Sequence, residues 1–454
     1  MQSAAQPLSH GASRSGTSKE GDSQTMLVHN GKKTDAWVNA AAARRSLRFA
    51  CGLTAAAAML TGFSIPREAR VTAAANRIVL ISLDGFRWDY LQRPEARRLR
   101  ELAAHGVRAE RLVSSFPTKT FPNHYTLVTG LYPEHHGIAA NVMRDSVLGR
   151  FATGSDPAVR DARWFLGEPI WVTAETQGVR TATYFWPGSE AAIAGVRPHW
   201  YYKFDAITSR ADRVDQILGW LSMPDSTAPQ LIAAYFSDVD TDGHNFGPDS
   251  PQTDSAIAHV DSVVGAIIDG IVQLGESDRV DIIVVSDHGM AATAANRTIA
   301  LDDFVSMDSL DIGDFNPIAT LIPKPGRDEY VYDALRNANP HMRVFRKGDL
   351  PERLHYNSGP RVTPIVAIAD EGWSIGTHAT LASMQPDHTY GAHGYDNQTL
   401  SMGALFVAAG PDFRRGATVP PFANVHVYAL LAQLLQLRPA VTDGSLDSVT
   451  ALLR

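Results

Sequence analysis

The sequence predicts an α/β fold, with a mostly parallel central sheet, helices on both faces and a smaller inserted subdomain. The 454 residues are 44% hydrophobic and 20% charged, which excludes a disordered chain and a polytopic membrane protein. Unbroken β-branched and apolar runs recur, as expected for strands buried on both faces. Segments with helical spacing separate these runs, which is typical of a doubly covered parallel sheet.

Predicted strands and helices alternate from residue 77 onward. The apolar runs predict strands at Arg77–Leu83, Val179–Phe185, Gln230–Ser237, Val280–Ser286 and Gly403–Ala409. Helical spacing predicts helices at Pro94–Ala104, Asp254–Leu274 and Asn424–Leu437. Residues 296–390 are richer in Pro, Gly and mixed polar residues, with short strand-like pieces at Ile318–Ile322 and Thr363–Ile368. We interpret this stretch as a smaller insertion and as a candidate lid or cap.

The sequence predicts a disordered N-terminus plus an export signal over residues 1–75. One catalytic domain is predicted over residues 76–454. The first 40 residues or so are rich in Ser, Gly, Ala and Gln without an apolar period. A basic region at Arg44–Arg48, an uncharged stretch from Phe49 to Pro66 and small residues after it are the three parts of a secretory signal. A buried helix or a membrane anchor is the alternative, although the stretch is short and Ala-rich for a span. We expect an exported, periplasmic protein whose mature chain has no membrane span; the sequence predicts no particular oligomeric state.

The cysteine content limits the possible cross-links and metal sites, and the net charge limits the possible binding partners. Cys51 is the single cysteine, which excludes a disulfide within the chain and a Cys-based zinc site. Residues 76–454 carry 32 Lys and Arg against 44 Asp and Glu, a net charge of −12. This acidity argues against a stable nucleic-acid partner. It leaves room for an anionic substrate, because two divalent ions would add four positive charges at one place.

Asp and His side chains follow three of the predicted strands, at the carboxyl ends where open α/β sheets bind ligands. A further His lies between two glycines in the segment GAHGYD. The residues are Asp84, Asp240, His244, Asp287, His288 and His393. Singly, such an Asp is often a helix N-cap and such a His a surface residue. Together, three Asp and three His suit two divalent transition ions, zinc most naturally.

The segment FPTKTFPNHYTLVTG, residues 116–130, contains a candidate nucleophile. Pro122 suits the first turn of a helix, and Thr120 then lies just before the helix N-terminus, where free N–H groups favour an anion. Zinc coordination would lower the pKa of the Thr120 hydroxyl and activate it. A simple N-cap role for Thr120 is the alternative, and Thr118 is a rival in the same loop.

At these residues the chain resembles the nucleotide pyrophosphatase/phosphodiesterase family of the alkaline phosphatase superfamily, from about Arg77 to the C-terminus. The resemblance rests on LISLDGFRWDY, FPTKTFPNHYTLVTGLYPEHHGI, DVDTDGHNFGP, VVSDHGM and GAHGYDN, in that order. It is close to the compact bacterial form of the family.

The resemblance implies two Zn²⁺ ions. One would be bound by Asp240, His244 and His393, and the other by Asp84, Asp287, His288 and Thr120 Oγ. Asn141 matches a residue that donates to a phosphoryl oxygen. Phe121 and Tyr235 match aromatics that sandwich the base of nucleotide substrates, although both could be core residues.

The implied reaction is hydrolysis of nucleotide phosphodiester and phosphoanhydride bonds to nucleoside 5′-monophosphates through a covalent phosphothreonine. Three alternatives stay open on the sequence alone. A phosphomonoesterase is disfavoured by the Thr120 segment. A phosphodiesterase acting on lysophospholipid or choline-phosphate diesters would use the same core. A catalytically silent, metal-stabilised binding protein is disfavoured because Thr120 accompanies every ligand.

Overall fold

An eight-stranded sheet forms the centre of the protein in the computed structural model, which describes residues 76–454. The predicted export segment and Cys51 lie outside the described residues. The strands are Arg77–Leu83 (β1), Val107–Ala109 (β2), Leu112–Val113 (β3), Val142–Asp145 (β4), Gly149–Ala152 (β5), Thr181–Tyr184 (β6), Trp200–Tyr202 (β7), Leu231–Phe236 (β8), Val280–Val285 (β9), Ala291–Ala294 (β10), Thr298–Ala300 (β11), Leu310–Ile312 (β12), Ile318–Pro323 (β13), Met342–Arg346 (β14), Ile365–Ala369 (β15), Ser374–Gly376 (β16), Thr389–Ala392 (β17), Phe406–Ala409 (β18), Ala417–Val419 (β19) and Phe422–Ala423 (β20). The α-helices are Arg97–His105 (α1), Thr120–Thr129 (α2), Pro133–His136 (α3), Asp156–Arg160 (α4), Ile170–Thr176 (α5), Arg210–Leu221 (α6), Asp238–Phe246 (α7), Pro251–Leu274 (α8), Asp328–Leu335 (α9), His378–Leu381 (α10) and Val427–Leu434 (α11).

The central sheet has the strand order β19-β2-β18-β9-β1-β8-β6-β7. The pairings of β1 with β8 and β9, of β8 with β6 and of β6 with β7 are parallel, whereas β18 runs antiparallel to β9 and β2. The predicted mostly parallel α/β sheet is therefore confirmed, with one antiparallel strand inside it. All seven residues of β1 are buried, which explains its continuous apolar sequence.

Helices cover both faces of the sheet, as the side chains of β1 require. Ile78 and Leu80 belong to a hydrophobic cluster that includes α2, α5 and α11. Val79 and Ile81 point the other way, into a cluster with α1, α6 and α8. Among the described residues, α8 alone is long and apolar enough to cross a membrane, and 56% of its most apolar window is buried inside the protein.

Residues 296–390 contain a second sheet with the order β12-β13-β15-β14, antiparallel throughout. Leu321 and Ile365 on one face belong to a third hydrophobic cluster, whereas Ile318 and Val366 belong to the cluster that contains Ile78 and Leu80. These strands lie within residues 296–390, and the interpretation of this stretch as a separate insertion stays a prediction. Whether the insertion acts as a lid stays a prediction.

Candidate metal and active site

Four segments bring the predicted ligands together at the carboxyl edge of the parallel strands. Asp84 follows β1 directly, and Asp287 and His288 follow β9. Beyond β8, Asp240 and His244 lie one turn apart on α7, so their side chains share a face. His393 follows β17, which packs against α7. The central strands β8, β1 and β9 lie side by side, so their ends deliver three of the ligand-bearing segments to one place, and the loop after β17 brings the fourth.

The first ligand group is Asp240, His244 and His393, whose donor atoms all lie within 4.8 Å of one another. Asp240 Oδ1 lies 3.4 Å from His244 Nε2 and 3.5 Å from His393 Nε2. One carboxylate oxygen and two imidazole nitrogens thus point at a common centre. This is a donor set of the kind that zinc prefers.

The second ligand group is centred on His288. Its Nε2 lies 2.9 Å from Asp287 Oδ2 and 3.5 Å from Asp84 Oδ1. Thr120 Oγ1 lies 3.3 Å from the same nitrogen. Asp84, Asp240 and His288 also fall within 4.8 Å of one another, so the two groups are adjacent and Asp240 faces both.

The three histidines are oriented in the same way by backbone carbonyls. Nδ1 of His244 is 2.8 Å from Gly391 O, Nδ1 of His288 is 2.9 Å from Gly289 O and Nδ1 of His393 is 2.8 Å from Thr118 O. A carbonyl can only accept, so each Nδ1 carries a proton. In a neutral ring this leaves Nε2, which faces the carboxylates, as the atom that would bind a metal.

The carboxylate oxygens of the site fit a cation because they have no other partner. Asp84 Oδ1, Asp240 Oδ1 and Asp287 Oδ2 are buried and accept no hydrogen bond from any described residue. Burial, with the charges of Asp287 and Asp240, raises the pKa of Asp84 well above its usual value. Burial, with the charges of His288 and His244, lowers the pKa of His393 well below its usual value. Bound cations would satisfy the orphaned oxygens and relieve this repulsion.

Gly85 allows the ligand segments to approach one another. A Cβ atom at this position would lie 2.9 Å from both Cα and Cβ of Asp240, and its φ of +69° is in the left-handed region. Its N–H also donates to Asp287 Oδ1 at 3.1 Å. A glycine is therefore required where the end of β1 meets the start of α7.

Thr120, the predicted nucleophile, is the first residue of α2 and lines the cavity next to the ligands. The N–H of Phe121 donates to Asn141 Oδ1 at 2.9 Å, which fixes the Asn141 amide beside the nucleophile. The rival Thr118 is fully buried, and its hydroxyl donates to Tyr395 O at 3.0 Å. Of the two threonines, Thr120 lines the cavity and Thr118 does not, and the N-cap of α2 is Lys119 rather than Thr120; the role of Thr120 as nucleophile stays a prediction.

His124 supports the nucleophile segment from beneath through hydrogen bonds and does not line the cavity. It is fully buried beneath the nucleophile, with Nε2 2.7 Å from Ser82 Oγ and Nδ1 2.9 Å from Thr120 O. Nδ1 also lies 3.4 Å from Asp287 Oδ2. The position four residues after Thr120 on a helix is the signal that could have indicated this contact.

A cavity of about 710 Å³ opens beside the ligands. It is lined by Asp84, Thr120, Phe121, Asn141, Thr153, Gly154, Val159, Phe185, Trp186, Pro187, Gly188, Glu190, Lys203, Phe204, Ala206, Tyr235, Ser237, Asp240, Thr241, His244 and His393. Its size and its aromatic content suit a small organic ligand. Phe204, which is 49% exposed, is an aromatic of this wall that the sequence pattern did not single out.

Tyr235 lies at the inner end of the cavity rather than on an open wall. It is 8% exposed, its hydroxyl donates to Asp84 Oδ2, and its ring contacts His124 edge to face. Phe121 is half-buried on the opposite side of the nucleophile loop, against Phe151. The predicted sandwich of a base by Phe121 and Tyr235 stays a prediction, but the structure gives Tyr235 a different contact, with a metal ligand.

The family model described as "Type I phosphodiesterase / nucleotide pyrophosphatase" matches residues 78–396 of the chain. The chain is 40% identical over 394 residues to an uncharacterised pyrophosphatase/phosphodiesterase of the fission yeast Schizosaccharomyces pombe, covering 84% of this chain and 81% of the relative. It is 37% identical over 385 residues to the bis(5′-adenosyl)-triphosphatase enpp4 of Mus musculus, covering 84% and 82% of the two chains.

A solved structure of murine ectonucleotide pyrophosphatase/phosphodiesterase 5, an inactive variant in complex with AMP, superposes with a TM-score of 0.79. It is 37% identical, and the match covers 84% of this chain and all of that one. These relatives come from a yeast and a mouse. The likeness to the compact bacterial form therefore stays a prediction.

Proposed function

This chain belongs to the type I phosphodiesterase / nucleotide pyrophosphatase family, and on that premise we propose that it cleaves nucleotide phosphodiesters and phosphoanhydrides to nucleoside 5′-monophosphates. The proposed cofactors are two zinc ions, and the proposed intermediate is a phosphothreonine. One observation supports the proposal above all others. The Thr120 hydroxyl lies at the N-terminus of α2, 3.3 Å from His288 Nε2, beside two converging sets of ligand atoms.

Seven side chains would hold the two ions. We assign one ion to Asp240, His244 and His393, and the other to Asp84, Asp287, His288 and Thr120 Oγ1. When bound, the two ions supply the positive charge that lowers the pKa of the Thr120 hydroxyl and neutralises charge on the attacking and leaving oxygens.

In the proposed reaction, Thr120 Oγ1 loses its proton and forms a bond to phosphorus as the bond from phosphorus to the leaving oxygen breaks. The leaving group takes up a proton. Water then attacks phosphorus and breaks the bond to Oγ1, which regenerates the Thr120 hydroxyl and releases the nucleoside 5′-monophosphate. Apart from this covalent step, the protein contributes mainly positioning and charge neutralisation.

Two groups beside the nucleophile would receive the phosphoryl oxygens. Asn141 Oδ1 accepts from the Phe121 N–H, which leaves the Nδ2 amide of Asn141 as a donor toward the cavity. The backbone N–H of Thr120 is at the start of α2, where the helix dipole also favours negative charge. The hydrogen bonds from these donors strengthen as negative charge develops on the phosphoryl oxygens.

The substrate assignment rests on aromatic walls and on a relative. Phe121 and Phe204 both line the cavity, and aromatic faces stack on every nucleobase. The AMP complex of the murine relative supports a nucleotide ligand in this fold. We therefore propose that the base lies in the aromatic part of the cavity and the phosphate beside Thr120.

Activity against three p-nitrophenyl substrates tests the proposal. The zinc-loaded protein is assayed with a nucleotide p-nitrophenyl diester, p-nitrophenyl phosphate and p-nitrophenyl phosphocholine, with and without a chelator. We expect a chelator-sensitive preference for the nucleotide diester. A preference for the choline ester would indicate that the substrates are diesters of lipid headgroups. A preference for p-nitrophenyl phosphate would refute the diesterase assignment.

A pair of variants tests the nucleophile separately. Thr120→Ala is expected to abolish turnover, whereas Thr120→Ser keeps a hydroxyl and is expected to retain part of it. Acid quenching of the Thr120→Ser or wild-type enzyme with a ³²P-labelled nucleotide should trap a labelled protein. Full activity of Thr120→Ala would rule out the phosphothreonine.

A further inference from the structure

Lys119, the residue before the proposed nucleophile, forms a buried ion pair with the insertion. It is 4% exposed, and its Nζ donates to Asp314 Oδ2 at 2.8 Å and to Asn316 O at 3.3 Å. Asp314 is 9% exposed and precedes β13 in the insertion. Each charge is stabilised by the other, because an unpaired charge at such a buried position would destabilise the folded state. The pair therefore joins the nucleophile loop to the second sheet.

The aliphatic part of Lys119 packs against the loop that carries His393. A Cβ atom added at Gly394 would lie 3.1 Å from Lys119 Cε, 3.5 Å from Lys119 Cγ and 2.9 Å from Pro317 Cδ. The Lys119 side chain thus passes between the loop after β17 and the loop before β13. It touches the neighbour of a proposed ligand on its way to Asp314.

Thr118 makes the adjoining connection to the same loop. Its hydroxyl donates to Tyr395 O and accepts from the Gly394 N–H, each at 3.0 Å, and its carbonyl oxygen accepts from His393 Nδ1 at 2.8 Å. The two residues before Thr120 are consequently bound on one side to residues 393–395. On the other side Lys119 is bound to Asp314.

We propose that the Lys119–Asp314 ion pair positions the Thr120 hydroxyl relative to the metal ligands, and that Lys119 is a positioning residue for the reaction. The inference rests on the proposed role of Thr120. Lys119 is the N-cap residue of α2, so a change in its backbone moves the first residue of the helix directly. Lys119 is not among the described residues that line the cavity, which separates positioning from substrate binding.

Three variants separate positioning from simple stabilisation. Lys119→Met leaves the Asp314 carboxylate buried and unpaired, and is expected to lower both Tm and kcat. The double variant Lys119→Met/Asp314→Leu removes both charges, and is expected to regain Tm because no charge is orphaned. Asp314→Asn keeps the volume and an acceptor for Nζ, and serves as the mildest variant.

In the double variant we expect the stability to recover while the turnover rate stays low. Displacement of a nucleophile by about 1 Å costs up to about 100-fold in rate. We expect kcat of the double variant to stay about 10- to 100-fold below wild type while its Tm recovers, with KM and zinc content close to wild type. Asp314→Asn should show a smaller loss of kcat in the same direction.

A control away from the site is the buried Arg77, 4% exposed, which begins β1 at the end opposite Asp84 and pairs with the exposed Asp225. Arg77→Met should lower Tm without lowering kcat. Wild-type kcat in the double variant would overturn the positioning role, and a rise in KM alone would assign Lys119 to substrate binding instead. Failure of the proposed function is recognised independently, by diesterase activity that survives in Thr120→Ala.

Discussion

The hydroxyl of Tyr235 donates a hydrogen bond of 2.5 Å to Oδ2 of Asp84. Tyr235 lies on β8, and Asp84 directly follows the neighbouring strand β1. Burial and the charge of Asp84 raise the pKa of Tyr235 well above its usual value, so the group stays a phenol and a donor. The bond holds Asp84 with Oδ1 turned toward His288. Tyr235 therefore orients a proposed ligand from behind.

The variant Tyr235→Phe is expected to weaken zinc binding. Partners that orient metal ligands typically contribute about 10- to 100-fold in metal affinity, and the phenylalanine keeps the ring packing while removing the hydrogen bond. Zinc affinity is measured by competition with a chromogenic chelator.

Tyr90→Phe is the control for this variant, because Tyr90 is also buried but donates to Pro248 O, away from the ligands. Its zinc affinity should equal that of the wild type. Equal affinity in Tyr235→Phe as well would show that Asp84 does not depend on this bond.

The variant Gly85→Ala is expected to lose zinc. An alanine Cβ would lie 2.9 Å from backbone and side-chain atoms of Asp240, so the end of β1 and the start of α7 must separate. Gly178→Ala is the matched control, since Gly178 has a φ of +81° and open space around its missing Cβ. Both variants should lose about 1–2 kcal/mol because the left-handed backbone conformation brings Cβ too close to the following carbonyl oxygen. A drop in zinc per chain, measured by atomic emission, is expected in Gly85→Ala alone; equal zinc content would show that the close approach is dispensable.

The ligand segments were predictable because they follow strands with clear sequence signals. The apolar run of β1 ends directly before Asp84 and that of β9 ends two residues before Asp287, and neighbouring parallel strands end at one edge of the sheet. Such strands are buried on both faces, however, so their sequence does not show which way a side chain points. That is why the contact of Tyr235 with Asp84 was not predicted.

Other parts of the site depend on long-range contacts that no local pattern shows. Lys119 and Asp314 are 195 positions apart in the sequence. Lys119 directly precedes α2, whereas Asp314 lies between β12 and β13 of the second sheet. Phe204 follows the edge strand β7 in a segment without a clear period. Its place in the cavity wall follows from the course of the loop and from contacts with Phe185 and Tyr235.

The fold should lose stability as the pH rises through about 7, because of Asp281. Burial, and next the charge of Asp412, outweigh a hydrogen bond from the Asp412 N–H and raise the pKa of Asp281 to about 7. An unfolded Asp titrates near 4. The folded state therefore holds a proton that the unfolded state loses between these values, so stability is complete below pH 4 and falls as pH rises to 7. The loss amounts to about 2–4 kcal/mol.

Asp281→Asn is expected to remove this pH dependence, since an amide cannot ionise and its Oδ1 still accepts from the Asp412 N–H. Tm is measured between pH 4 and 8 for the variant and the wild type. Asp308→Asn, at an exposed position, should keep the wild-type slope. A wild-type slope in Asp281→Asn would assign the pH dependence to another group.

Removal of an aromatic side chain from the cavity wall should raise KM for nucleotide substrates more than KM for diesters without a base. Stacking on an aromatic side chain contributes about 1–3 kcal/mol per base. Phe121→Ala and Phe204→Ala are therefore expected to raise KM for a nucleotide p-nitrophenyl diester about 10-fold or more, because each removes one stacking face. Bis(p-nitrophenyl) phosphate has no base, although its second ring can occupy part of the same wall, so its KM should change less. Val441→Ala, at a position 93% exposed, should change neither value. If Phe204→Ala leaves the nucleotide KM unchanged while Phe121→Ala raises it, the base does not stack on Phe204, and Tyr235 becomes the candidate for the second stacking face.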